Sequence, residues 1–350
     1  MNNNRYSDAK IVWFPDKLSS FRDGTITAPI YVRVKPTNRC NHACDWCAYG
    51  HGSIESGMHE QMDAREVMPR DKLLETLGCF RDMGVKAVTY SGGGEPLSYA
   101  HITEAMAMTV NYGIDLSIIT NGSLLENQRA EILTHGKWVR VSMDYVNGHQ
   151  MAASRGVDQF DRVIKNMREF AAKKGKCELG VNYIVTRENY DGLEQLCRRL
   201  KDIGVQNVRV SPVWLPNFAK YHAPISGSVM KEIEAAKKLG DRSFTVYSSY
   251  DLDNPAHGVK RDFGKCLFTQ MVPVVAADQN VYHCHNTAYA KHGLIGSIRN
   301  RTFQNLWFSD DAKKAFAKLN PQHSCKHQCA AHGKNELIHS LLAASGDNFV

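Results

Sequence analysis

Between residues 29 and 213 the sequence passes through six strand-like runs separated by helix-like runs, and no other feature restricts the fold as much. The strand-like runs cover 29–36, 85–90, 114–120, 137–144, 177–186 and 205–213. The helix-like runs cover 69–84, 101–113, 125–136, 158–175 and 190–204; the first carries Asp71 near its start and Gly84 at its end. Repeated strand–helix units imply an α/β fold with a parallel sheet and right-handed crossovers. Six units are too few for a full eight-stranded barrel, so the expected architecture is a partial (β/α)6 TIM barrel, open on one side. Such sheets bind ligands at the carboxyl ends of their strands, and the cysteine-rich and glycine-rich loops of this chain fall at those ends.

Around this core, at 28–213, lie a lead at 1–27, a connector at 214–262 and a cysteine-rich tail at 263–350. The connector contains Pro216, Pro224 and Pro255, weaker periodicity and one helix near 228–240. No apolar run approaches the ~20 residues that span a bilayer. The opening MNNNRYSDAK lacks the basic-then-apolar pattern of a signal peptide, so the protein is read as cytoplasmic with no membrane partner. A net charge of +7 over 350 residues fits solubility better than a nucleic-acid footprint.

The chain has ten cysteines, which in a reducing cytoplasm point to metal ligands or buried thiols rather than disulfides. Cys79 and Cys197 fall in amphipathic helices and read as packed thiols. Cys40, Cys44 and Cys47 stand together as CX3CX2C just after the first strand. Four-thiolate zinc sites usually come as CX2C pairs, and an iron–sulfur cluster with every iron protein-bound needs four cysteines. Three on one loop leave one iron with an open position.

These residues resemble the signature of the radical SAM superfamily, with Trp46 as its aromatic position. The resemblance implies that Cys40, Cys44 and Cys47 hold a 4Fe–4S cluster whose open iron takes the amino and carboxylate groups of S-adenosylmethionine. One electron then cleaves the sulfonium to a 5′-deoxyadenosyl radical, chemistry that belongs to the cofactor while the protein orients it. SGGGEP at 91–96 is similar to the family's GGE motif, so Gly93, Gly94 and Glu95 are expected to approach the methionine ammonium; a plain glycine-rich turn is the alternative. Asn121 is the implied ribose contact, and Ser142 resembles a ribose- or carboxylate-binding serine, with Asp144 a turn residue. Arg155 resembles an arginine that pairs with the methionine carboxylate, against a solvent-facing cation. Ile184 and Val185 would pack on adenine or belong to the core.

The tail resembles the SPASM/twitch class of the same superfamily. Cys266 and Cys284 flank a predicted hairpin, LIGSIRNRTFQNLWFS follows, and Cys325 and Cys329 close the segment as CX3C rather than the usual CX2C. The count implies the shorter, twitch-type iron–sulfur domain with one auxiliary 4Fe–4S cluster. His283, His285, His323, His327 and His332 keep a zinc or mixed His/Cys site open.

The implied reaction is hydrogen-atom abstraction from a small substrate such as a sugar, cyclitol or sugar nucleotide. An auxiliary cluster accepting the second electron would make it a net oxidation, so the chain is expected to be an oxidoreductase fed by a donor such as flavodoxin or ferredoxin. A peptide maturase is the enzymatic alternative, disfavoured by a lead of only 27 residues; a non-enzymatic zinc protein is the other. Tyr49, Tyr90, Asn182, Arg209 and Trp214, all at strand ends, are the expected substrate walls, and a structural ion pair is the competing role for Arg209.

Overall fold

The structure, a computed structural model, describes residues 7–49, 62–258 and 260–344; residues 1–6 of the expected lead and 345–350 of the expected tail lie outside it. A 3-10 turn, Asp8–Trp13, and helix α1, Pro15–Arg22, come first. The core runs β1 (Tyr31–Val34), α2 (Arg70–Asp82), β2 (Ala87–Tyr90), α3 (Ile102–Asn111), β3 (Asp115–Thr120) and α4 (Asn127–Leu133). It continues through β4 (Trp138–Ser142), α5 (Gly148–Arg155), α6 (Phe160–Lys173), β5 (Glu178–Val185), α7 (Leu193–Asp202) and β6 (Asn207–Pro212). Helices α8 (Phe218–His222) and α9 (Ser226–Lys238) lead to β7 (Thr245–Ser248). The tail holds β8 (Val274–Val275), β9 (Asn280–Tyr282), β10 (Leu294–Ser297), α10 (Phe303–Trp307), α11 (Asp310–Lys318), α12 (Pro321–Ser324) and α13 (His332–Ala343).

Strands β1 to β7 lie side by side in chain order, all parallel. β8 joins the other edge of β1 in parallel, and β9 and β10 continue antiparallel, so β7 and β10 are the two edges of an open sheet. The stretch expected to be only a connector thus supplies a seventh barrel strand. The predicted tail hairpin is present, and it is built into the barrel sheet rather than set apart from it.

Strand alternation divides the sheet into two faces. Val32, Val34, Val139, Val141, Leu179, Val181, Val208 and Val210 are buried in one core with Leu73, Leu77, Phe80, Val163, Met167 and Leu200 from the helices. Full burial of each such side chain stabilises by about 1.5–3 kcal/mol. In α6 the buried set Phe160, Val163, Ile164, Met167 and Phe170 recurs at helical spacing, and this stripe fixes which way the helix faces. The opposite, concave face is polar: Arg33, Thr89, Ser117, Arg140, Ser142, Asn182 and Arg209 alternate with the valines.

Aromatic packing docks the tail onto the barrel. Phe303 meets Phe80 of α2 edge-to-face at 5.0 Å, Trp307 stacks on Phe303 at 5.5 Å, and the Trp307 indole donates to Thr27 O at 2.9 Å. The lead, which the family resemblance does not explain, is held by the tail: Ile11 and Phe21 share a small core with Met271 and Ile338 of α13.

Candidate active site

The cysteine loop follows β1 and is gripped from three sides. From α5, Ala43 N donates to Arg155 O at 2.9 Å and Asp45 N to Ser154 O at 3.1 Å. Helix α5 ends on left-handed Gly156 (φ 69°), and a β-carbon there would touch that of Ala43 at 3.2 Å. From the loop after β3, Asn121 Nδ2 donates to Asn41 Oδ1 at 2.8 Å, and Asn41 Nδ2 donates to Ser123 Oγ at 2.9 Å. From the loop after β2, Gly94 N donates to Thr37 O at 3.0 Å and Glu95 N to Arg39 O at 2.9 Å. Burial raises the pKa of the half-buried Cys44 thiol. Thiols held this way are costly to ionise alone, and a bound iron–sulfur cluster removes that cost.

Two glycines of SGGGEP, Gly93 and Gly94, are required by close contact with the residues that lead into the cysteine loop. A β-carbon on Gly93 would lie 2.2 Å from Asn38 Oδ1, and one on Gly94 would lie 2.0 Å from Arg39 O. The Glu95 side chain is already engaged within the protein. Its carboxylate is 2 % exposed; Oε1 accepts from Leu97 N at 2.9 Å and Thr120 Oγ1 at 2.7 Å, and Oε2 accepts from Asn121 N at 2.7 Å. Burial raises its pKa, against these three donors. Glu95 therefore ties the loop after β2 to the loop after β3. Asn121, expected at the ribose, uses its side-chain oxygen on Ser123 N and Oγ and its nitrogen on Asn41.

Arg155 also differs from expectation. It is 3 % exposed and pairs with Asp144 Oδ1 at 2.8 Å, so Asp144, expected as a turn residue, is its ion-pair partner. Its other terminal nitrogen donates to Cys44 Sγ at 3.5 Å, and its guanidinium lies 4.8 Å from the Trp46 ring and 5.4 Å from that of Tyr145. Burial works against the charge, but Asp144 and then Cys44 hold Arg155 above its ordinary value, and a guanidinium does not deprotonate in proteins. It is a buried cation behind a cysteine ligand position, not a surface charge.

The four tail cysteines converge. Burial raises Cys266 far above its usual pKa, with further rises from Cys284, Cys329 and Cys325; burial also pushes Cys325 up to about 12 and raises Cys329. Asn335 Nδ2 donates to Cys266 Sγ at 3.3 Å, and Thr287 Oγ1 lies 3.4 Å from Cys284 Sγ. Among the described residues, no three His, Cys, Asp or Glu side chains stand close enough to share a single metal ion. Cys325 is buried and Cys266, Cys284 and Cys329 are half-buried, and four thiols drawn from three tail segments suit an iron–sulfur cluster. His283 instead packs on Phe316, and His332 faces Glu336.

Between the two cysteine groups lies a layer that the sequence reading missed in part. Lys35, just past β1, is 1 % exposed; its ammonium donates to Gly92 O at 2.7 Å and sits 3.8 Å from the centre of the Tyr49 ring. Burial, then Arg33, lowers Lys35 to about 7, while Cys47 on one side and Cys284 on the other act to raise it. Tyr49, an expected wall, donates to His285 O and meets Tyr289 edge-on at 5.9 Å. Arg33 and Lys35 were legible: in YVRVK, charges alternate with valines on a strand that a parallel barrel buries on both faces.

Asn182 and Arg209 are register partners on the concave face, and Ser142 lies beside Asn182. Tyr90 does not face the concave side: its hydroxyl reaches Ala105 O at 3.1 Å and Thr109 Oγ1 at 2.8 Å on α3, in the helix-facing core. Val185 shares that core, so of the expected adenine pair only Ile184 has the concave parity. Trp214 packs with Phe218, Leu252 and Ala48 at one side of an open cleft of about 450 Å³. A second cleft of about 380 Å³, lined by Gly204, Gln206 and Thr245, lies at the amino ends of the strands, away from the cysteines.

A family model described as the Radical SAM superfamily matches residues 34–200. A probable GTP 3′,8-cyclase of Sulfurisphaera tokodaii is 26% identical over 243 residues, 68% of this chain and 74% of that one. A tungsten-containing aldehyde ferredoxin oxidoreductase cofactor-modifying protein of Pyrococcus furiosus is 28% identical over 190 residues; there the match spans 52% of this chain and 51% of the relative. In three dimensions, SuiB of Streptococcus suis bound to S-adenosylmethionine matches with a TM-score of 0.63 at 15% identity, over 86% of this chain and 70% of that one. Among the described residues no helix is long and apolar enough to cross a membrane.

Proposed function

The chain belongs to the radical SAM superfamily, with a 4Fe–4S cluster and S-adenosylmethionine as its cofactors, and from that premise we propose that it abstracts a hydrogen atom from a small substrate held between two iron–sulfur sites. That family is enzymatic, so the non-enzymatic zinc reading is dropped. Cys40, Cys44 and Cys47 would hold the first cluster, and the chemistry supplied there is reductive cleavage of S-adenosylmethionine to a 5′-deoxyadenosyl radical. Cys266, Cys284, Cys325 and Cys329 would hold the second. A net oxidation requires one hydrogen atom to leave the substrate carbon, then one electron and one proton; the tail site is the acceptor for that electron.

The observation that carries the reading is Lys35 against Tyr49: Tyr49 stands two residues after Cys47 and donates to the carbonyl of His285, the residue after Cys284, so one contact joins the two cysteine groups. They stand between the two cysteine groups, which suits a substrate that gives up a hydrogen atom on one side and an electron on the other. This chain's residues have separate tasks there. Glu95 and Asn121 fix the loops after β2 and β3, Arg155 braces Cys44, and Ser142, Asn182, Ile184 and Arg209 line the concave wall. An electron donor of the flavodoxin or ferredoxin type would supply the cleavage step.

A peptide substrate is the second reading. It is supported by the likeness to SuiB, for which a complex with its precursor peptide SuiA is known at a TM-score of 0.60. Anaerobic incubation with S-adenosylmethionine, a reductant and deuterated metabolite extract separates the readings. Deuterium in 5′-deoxyadenosine supports the small-substrate reading; transfer only from a peptide fraction contradicts it.

A further inference from the structure

The tail loop that follows Cys284 meets the first cysteine loop at both of its ends. At one end Tyr49, two residues after Cys47, donates to His285 O. At the other, Tyr289 donates to Asn38 Oδ1, two residues before Cys40. The loop between these contacts is tied to the tail site itself. Thr287 N donates to Cys284 O at 3.3 Å and Ala290 N to Thr287 O at 3.2 Å. Asn286 Nδ2 donates to the carbonyl of Gln328, the residue before Cys329. Tyr289 is thus linked by a few hydrogen bonds to two tail ligand positions on one side and to the first cysteine loop on the other.

Local preference would not place Tyr289 as it stands. Its φ is 64°, a left-handed backbone that an aromatic residue seldom adopts, and its side chain is fully buried. Such a conformation persists where the surroundings over-determine it. Here the ring lies edge-on to Tyr49 at 5.9 Å and tilted against Tyr282 at 5.6 Å, and the hydroxyl is delivered to Asn38. Asn38 Nδ2 donates to Asp63 O at 2.8 Å, so the amide turns its oxygen to Tyr289 and to Gly93. A β-carbon on Gly93 would stand 2.2 Å from that oxygen and 3.0 Å from the Tyr289 hydroxyl. The middle of the glycine-rich loop therefore rests on a tail residue as well as on the approach to Cys40. We propose that Tyr289 is a positioning residue: through Asn38 and Gly93 it sets the loop after β2 for S-adenosylmethionine, and so couples the tail site to S-adenosylmethionine affinity at the first site. This coupling rests on the reading above, with S-adenosylmethionine meeting the loop after β2 as the family resemblance implies.

The test uses the full chain, reconstituted anaerobically and titrated calorimetrically with S-adenosylmethionine in the absence of reductant. Tyr289→Phe keeps the ring and removes the hydroxyl, which frees Asn38 to turn away from Gly93; affinity should fall roughly fivefold, with iron content and circular dichroism as in the parent. The same loss should appear in the spectrum of the reduced first cluster, as a higher S-adenosylmethionine concentration needed to shift its resonance. Asn38→Ala breaks the same contact from the other side and decides the matter if Tyr289→Phe does not fold. The double variant should lose no more than the larger single loss, because both act through one bond. With Cys266, Cys284, Cys325 and Cys329 all changed to Ala, the first cluster stays, S-adenosylmethionine should bind roughly fivefold or more weakly, and Tyr289→Phe should add little. Parent affinity in Tyr289→Phe or in the tail variant, or losses that simply add, would each overturn the proposal. Binding by the parent with variants that match it sinks the coupling alone; a parent that does not bind S-adenosylmethionine sinks the reading beneath it.

Discussion

Replacing Glu95 with Gln puts a number on how the glycine-rich loop is tied to the loop after β3. The carboxylate accepts three hydrogen bonds, from Leu97 N, Thr120 Oγ1 and Asn121 N. An amide has only one accepting atom. If its oxygen takes the Oε1 position, its NH2 faces the Asn121 N–H; if it flips, the NH2 faces the Leu97 N–H, while Thr120 can turn its hydroxyl to accept. Either way one buried backbone donor is orphaned, at about 1–3 kcal/mol, and the surviving bonds lose their charge assistance. A neutral amide is cheaper to bury than a carboxylate, which offsets part of this. The net expectation is a loss of about 2 kcal/mol. With a urea slope of about 3 kcal/mol per molar, the anaerobic unfolding midpoint falls by roughly 0.7 M. Thr120→Val in a double-mutant cycle should show coupling of about 0.5 kcal/mol or more. An unchanged midpoint together with weaker S-adenosylmethionine binding would refute this reasoning and return Glu95 to the cofactor.

Three further outcomes follow from the same geometry. Arg155→Met leaves Asp144 buried without its partner and should cost about 3–5 kcal/mol in urea unfolding, and it should shift the redox midpoint of the cluster on Cys44; a silent Arg155→Met makes the pair incidental. Trp307→Ala removes the stack on Phe303 and the bond to Thr27, so about 3–5 kcal/mol should be lost, read in the same assay. Gly94→Ala places a β-carbon 2.0 Å from Arg39 O, and soluble protein with parent iron content and parent S-adenosylmethionine affinity would show that the two loops are not in contact.

The six strand–helix units were legible because each carries its own apolar stripe and most end on glycine. Strand β7, with only TVYS between a solvated helix and a loop, has too few residues for periodicity to declare it. Tyr90 and Val185 were misplaced by parity: Val88 and Tyr90 share a face, so a helix-packed Val88 takes Tyr90 with it. The cysteines were legible as ligand spacings, but not the braces behind them. No local pattern says that Glu95 will meet Thr120 and Asn121, or that Arg155 will find Asp144 and Cys44, since these pairs form only when successive loops meet at one end of the sheet. The union of β8 with β1 is likewise a tertiary event, joining strands more than 200 residues apart.

The central claim is that two separate cysteine groups, Cys40, Cys44 and Cys47 on one side and Cys266, Cys284, Cys325 and Cys329 on the other, each hold an iron–sulfur cluster. Iron analysis with Mössbauer spectra on anaerobically reconstituted protein tests it most directly. About eight irons per chain are predicted for the parent, and about four for a variant with Ala at Cys40, Cys44 and Cys47, which should also lose cleavage of S-adenosylmethionine. A variant with Ala at the four tail positions should likewise keep about four. Iron near zero in the first variant, with zinc in the tail, would contradict the account.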